Sequence, residues 1–166
     1  QNAIPGRFTP VFWCVRLFPS QPGTMGILCD PAHPALAAFP TESHSNWQWW
    51  ELLSRSKALV LDDTPPEYRP IVQVIDNFDR NHKLGTVFEA RVGPGRLLVT
   101  AIDLAADLDS RPVARQLLHS LLSYMDSTEF QPRWDMPVSV LSRVIPRKLP
   151  ALTPAAAPDA DALARA

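Results

Sequence analysis

Proline occupies 18 of the 166 positions, roughly twice the usual share of about 5%, and it limits the fold more than any other residue type. It has no N–H and a fixed φ, so it is kept out of helix interiors and out of the middle of a paired sheet. Pro19 and Pro22, Pro31 and Pro34, Pro65 and Pro66, Pro94 and Pro112 therefore read as joints between short elements. The apolar runs between them are too brief for helices and rich in branched or aromatic residues: PVFWCVRLF (10–18), TMGILC (24–29), ALVLD (58–62), IVQVID (71–76), GTVFEARV (85–92) and RLLVTAID (96–103). Each is expected to be a strand. The last two are joined by Gly93, Pro94 and Gly95, a compact turn suited to an antiparallel hairpin. MGILC and RLLVTAID are nearly continuous in apolar character, as strands covered on both faces are. Helices must then cover the sheet.

Two stretches supply them. In RPVARQLLHSLLSYM (111–125), Ser110 is expected to cap the helix and Pro112 sits in its first turn, where the missing N–H is harmless. Val113, Ala114, Leu117, Leu118, Leu121, Leu122, Tyr124 and Met125 share one broad arc, with Arg115, Gln116, His119 and Ser123 opposite. His119 thus reads as a solvated polar-face residue. In SHSNWQWWELL (43–53), Ser45 followed by Gln48 matches a capping box. At 100° per residue, Leu52, Trp49, Leu53, Trp50 and Trp47 span an arc of about 220°. That predicts a mostly enclosed helix, with Trp49 and Trp50 inside and Trp47 and Leu52 at the rim.

With 46% hydrophobic and 20% charged residues, the composition is that of one globular domain. Net charge is -1 and the Lys and Arg residues are scattered, so neither nucleic acid nor an anionic membrane is an expected partner. No apolar run reaches the roughly 18 residues of a spanning helix. The start, QNAIPGRFTP, has neither an initiator Met nor signal-peptide patterning, and is read as the start of a piece of a longer polypeptide. Cys14 and Cys29 lie in apolar surroundings and read as small buried hydrophobes. The compact part is expected over about residues 8–130. Residues 131–166 are expected to be a C-terminal extension, largely disordered after 147 because the Ala/Pro/Asp tail has no period.

Tests for chemistry give no reaction. Cys29 ends a strand but lacks the flanking glycines of a strained nucleophile elbow. The string CDPAH brings Cys29, Asp30 and His33 together, with His44 farther on, yet none of these has a recognised ligand spacing. Asp62, Asp76, Glu89 and Asp103 fall in or at the ends of strands and could offer a carboxylate pair, as chance alone would on a small sheet. No phosphate-cradling glycine-rich loop is present. Neither cofactor nor metal is expected.

The strings GILCDPAHPALAAFPTESHSNWQWWELLSRSKALVLDD, RPIVQVIDNFDRNHKLGTVFEARVGPGRLLVTAIDL and RPVARQLLHSLLSYM resemble the C-terminal region of large bacterial proteins of glycoside hydrolase family 2, the β-galactosidase and β-glucuronidase class. The likeness covers about residues 8–132, and FPTESHSNWQWW is its most specific piece. DPAHPALAAFP also looks like a segment of class I glutamine-amidotransferase-like domains. The implied fold is α/β: a flavodoxin-like sheet with flanking helices, mixed with the antiparallel hairpin, its first strand and helix units lying upstream of Gln1. Family 2 catalysis uses two glutamates on a barrel that this chain does not contain, so none of its residues inherits a catalytic role. The amidotransferase Cys–His–Glu set is likewise unmatched.

The resemblance implies a non-catalytic accessory domain that packs against the catalytic barrel, other domains of a parent glycosidase, or a second copy. A periplasmic or secreted parent suits this class. The alternative is a carbohydrate-binding module in which Trp47, Trp13 and Trp134 stack on sugar rings.

Overall fold

The computed structural model of the chain describes residues 3–6, 8 and 23–145. The elements in chain order are β1 (Ala3–Pro5), β2 (Gly26–Cys29), α1 (Trp47–Ser54), β3 (Lys57–Val60), β4 (Val72–Ile75), β5 (Leu84–Val92), β6 (Gly95–Thr100), α2 (Pro112–Met125) and α3 (Val138–Val144). Single 3-10 turns occur at Pro34–Leu36 and Leu108–Ser110. The strand expected over 10–18, with Trp13 and Cys14, lies outside the described residues, as does everything after 145.

The strands form one six-stranded sheet in the order β1-β3-β5-β4-β2, with β6 also on β5. All five ladders are antiparallel. The coarse expectation of a sheet with flanking helices and an antiparallel hairpin is what the structure has. The pairing differs, however, from the parallel strands of a doubly wound flavodoxin-like sheet. Parallel neighbours need long crossover connections; here β3 to β6 follow one another through loops and turns, and such connections favour antiparallel pairing.

Strand β5 organises the sheet. Along one edge it pairs first with β3 (Leu59–Gly85, Val60–Leu84) and then with β6, from Val87–Thr100 to Val92–Gly95. The turn between β5 and β6 is two residues long, and Gly93 has φ +57°, a conformation glycine adopts without a Cβ penalty. Along the other edge β4 pairs only as far as Val72–Val87. Farther along that edge, Arg91 N–H donates to the Trp134 carbonyl and Met136 N–H donates to the Arg91 carbonyl. Between these two pairings the edge is open.

Period-two alternation divides the core between the two faces. Ala58 and Val87 join a cluster with Ile27, Val72 and Val74, covered by Trp49, Leu52 and Leu53 of α1 and by Ala114, Leu117, Leu121 and Tyr124 of α2. Leu59, Phe88 and Ala90 point the other way, onto Leu61, Tyr68, Met136 and Val144. Residues 131–145 thus belong to the packed structure, which extends beyond the expected limit at 130. Met136 alone, in an otherwise polar stretch, gave the sequence pattern too little period to register.

Helix α1 is buried differently from expectation. Trp49, Leu52 and Leu53 are fully enclosed, whereas Trp47 is 88% and Trp50 50% exposed. The apolar arc is covered only at its Leu52 end, over roughly 100°, so Leu52 and Trp50 exchange their expected places. At the open end Trp50 stacks on Phe8 at 5.2 Å and lies 6.2 Å from Trp47. The N-cap is Asn46 rather than Ser45: its side chain accepts from Gln48 N–H at 3.0 Å. The Gln48 side chain donates to the Pro40 carbonyl instead of closing a box.

The same over-reading of width applies to α2, where His119 is exposed as expected but Leu122 and Met125 are 55% and 43% exposed. Ser110 does not cap α2; it lies in the preceding 3-10 turn and donates to the Asp107 carbonyl, and Arg111 takes the N-cap position. Full cover of β2 and β6 is not found either. Leu28 is 47% exposed, and Leu97, Leu98 and Val99 are half-buried.

Candidate functional site

The open stretch of the β5 edge forms the back of a cleft of about 810 Å³. One wall carries Leu28 of β2 and Gln73 of β4, which are register partners. The loop after β2 adds Cys29, Asp30 and His33; the loop before β4 adds Tyr68 and Arg69; Tyr124 and the segment Thr128–Trp134 close the opposite side. Three of the sequence candidates therefore meet here, Cys29, Asp30 and His33, and Trp134 joins them. Trp47 lies elsewhere, on the open end of α1, and Trp13 is outside the described residues.

Where a neighbouring strand is missing, side chains satisfy the backbone. The Tyr68 hydroxyl donates to the Glu89 carbonyl at 2.7 Å, and the Tyr124 hydroxyl donates to Glu89 Oε2 at 2.7 Å. Burial, and then the negative charge of Glu89, push the Tyr68 hydroxyl well above the ordinary tyrosine range. Tyr124 is raised as well, first by burial and then by its bond to Glu89.

Both folded pKa values are raised, so the stability these tyrosines contribute is complete below about pH 10, the unfolded tyrosine value, and is lost as pH rises from there through the folded values. Urea titrations should show stability falling above about pH 10, by up to roughly 1.4 kcal/mol per pH unit per tyrosine. The slope should be shallower in Tyr68→Phe. Identical curves for the two proteins would contradict the assignment.

The groups of the cleft that could carry out chemistry are already engaged. The Cys29 thiol donates to the Glu42 carbonyl at 3.2 Å, and burial followed by the charge of Asp30 raises its pKa. It is held as a thiol, the unreactive form. His33 Nδ1 accepts from Ala35 N–H at 3.2 Å to cap the 3-10 turn, which leaves the neutral ring with its proton on Nε2. Burial lowers the His33 pKa, with the charges of Glu89 and Asp30 opposing and Arg133 reinforcing the shift. An Asp30 carboxylate oxygen accepts from Ala32 N–H.

The other carboxylates singled out in the sequence do not reach the cleft. Asp62 bonds His82 Nδ1 at 2.6 Å, Asp76 holds the Arg80 guanidinium, and Asp103 accepts from Ala105 and Ala106 N–H. Among the described residues no three His, Cys, Asp or Glu side chains converge as a metal site would require.

What remains available is a recognition surface. Trp134 is 37% exposed, its ring set edge-on to Tyr68 at 6.2 Å. The ring is held in place by its neighbours: Asp135 takes the Arg91 guanidinium at 2.8 and 2.9 Å, and Met136 is buried. Arg96, directly opposite Arg91 in the hairpin, avoids that like charge by donating to the Phe130 carbonyl and lying 5.4 Å over its ring. Both arginines thereby fasten residues 130–136 to β5 and β6. Sequence reasoning named Trp134 but missed Tyr68, Glu89 and Tyr124 as members of one site. They come from three distant segments, and no spacing links them.

A family model described as a domain of unknown function (DUF8487) matches residues 1–146. No curated protein matches the chain.

Proposed function

The chain belongs to the DUF8487 family, and we propose that it is a non-catalytic C-terminal accessory domain of a family 2 glycoside hydrolase, whose O-glycosyl hydrolysis is carried out by a barrel elsewhere in the parent protein. The carbohydrate class rests on the resemblance of FPTESHSNWQWW and its flanking strings, and the glutamine-amidotransferase-like relation within this proposal rests on DPAHPALAAFP alone. The observation that carries the non-catalytic role is the engagement of the cleft: Cys29 is held as a thiol and Glu89 is occupied by Tyr124. A general base or nucleophile needs a free lone pair facing the reacting atom.

In this reading the catalytic barrel or another domain of the parent meets the aromatic ledge of Phe8, Trp50 and Trp47, since a large exposed aromatic pair marks contact surfaces more often than open ones. The chain should give no turnover of aryl glycosides or aryl esters above that of Cys29→Ala and Glu89→Gln. Reproducible turnover abolished by either substitution would replace this reading with an enzymatic one.

A further inference from the structure

We propose that the cleft between the Cys29–Pro34 loop and the Thr128–Trp134 segment is a binding site for a neutral saccharide, with Trp134 as its platform and Glu89, Gln73 and Arg133 as its polar contacts. The inference rests on the reading of the cleft as a recognition site and adds the ligand's chemical class.

Shape comes first. A volume of about 810 Å³ is in the range of sites that enclose one small molecule, and one or two pyranose rings fill it. A pyranose presents one apolar C–H face and a rim of hydroxyls, each both donor and acceptor. The cleft offers the complement. An indole ring is fixed in place at the mouth through the Arg91 pairing. Gln73 provides an amide, Glu89 a carboxylate, and Arg133 a guanidinium that has no ion-pair partner among the described residues. Planar side chains of these kinds bond two neighbouring hydroxyls at once.

Charge then selects among hydroxylated ligands. Asp30, Glu89 and Glu129 contribute three negative charges, and Arg69 and Arg133 two positive ones. With His33 neutral, the lining sums to -1, from -3 and +2. The signs are interspersed, so an anionic or a cationic sugar meets as much repulsion as attraction, and a neutral one meets none.

The test uses the chain titrated by isotope-edited NMR and tryptophan fluorescence with methyl β-galactopyranoside, methyl β-glucopyranoside and cellobiose. Glucuronate and glucosamine are the charged comparators. At least one neutral sugar is expected to shift the amides of Gln73, Glu89 and Trp134. Its affinity should fall by about tenfold or more in Trp134→Ala and by several-fold in Arg133→Ala, an exposed site whose substitution leaves the fold intact. Trp47→Ala should leave binding unchanged. Absence of any shift with all three neutral sugars overturns the proposal, as does binding that survives both Trp134→Ala and Arg133→Ala. Binding of a charged comparator alone overturns the neutral class while leaving the recognition reading in place. Turnover of a glycoside, lost in Glu89→Gln, overturns the recognition reading itself.

Discussion

Replacing Trp49 by alanine should lower the unfolding free energy by about 3 to 5 kcal/mol, as large-to-small changes of enclosed aromatics do. The indole has no exposed surface, meets Phe39 edge-to-face at 5.4 Å, and donates its N–H to Thr41 Oγ1 at 2.8 Å. Alanine would leave a cavity between α1 and the sheet, since Leu52 and Leu53 are fixed on the same helix. It would also strip Thr41 of its donor. Trp50→Ala, one residue on, should cost no more than about 1.5 kcal/mol, the range of an exposed aromatic pair, because only its stacking on Phe8 is lost. Urea denaturation of the two variants decides the matter. Equal costs would mean that α1 is rotated from the phase described.

Arg111→Ala is expected to be of similar size, about 3 to 5 kcal/mol, the usual result of removing one partner of a buried ion pair. Its side chain is only 5% exposed. The guanidinium bonds the Glu51 carboxylate, donates to the Ala106 carbonyl at 2.8 Å and lies 3.6 Å from Asp103. A cation at the N-cap of α2 is unfavourable against the helix dipole, and the two carboxylates offset it while tying α1 to α2. Removing the arginine leaves Glu51 partly buried without a counter-charge. Arg111→Met combined with Glu51→Leu should recover most of the loss, because it removes both charges and fills their space. By contrast Asp135→Ala breaks a pair exposed by 46% and 74% and should cost no more than about 1 kcal/mol. Should Arg111→Ala cost as little as Asp135→Ala, the α1–α2 bridge contributes nothing to stability.

Much of the element pattern is legible in the chain. Strands observed at 26–29, 57–60, 72–75, 84–92 and 95–100, and helices at 47–54 and 112–125, all overlap the runs between prolines. The errors lie in how wide each apolar arc is buried. Trp50, Leu122 and Met125 are as apolar as their enclosed neighbours, and periodicity cannot say where cover by another element ends. Caps misplaced by a residue, at Ser45 and Ser110, have a local cause: Asn46 competes for the first cap, and a 3-10 turn absorbs Ser110.

The sequence by itself determined the short strands, the hairpin at Gly93, the enclosed Trp49 and the solvated His119, because prolines, glycine conformation and side-chain period act over a few residues. Only the tertiary structure decided the cleft. It exists because β4 leaves β5 at Val87 and the segment 134–136 rejoins the same edge at Arg91, so that Tyr68, Glu89, Tyr124 and Trp134 surround the gap. Strand register and the landing point of a distant segment are set by contacts across the whole sheet, and no local pattern of residues encodes them.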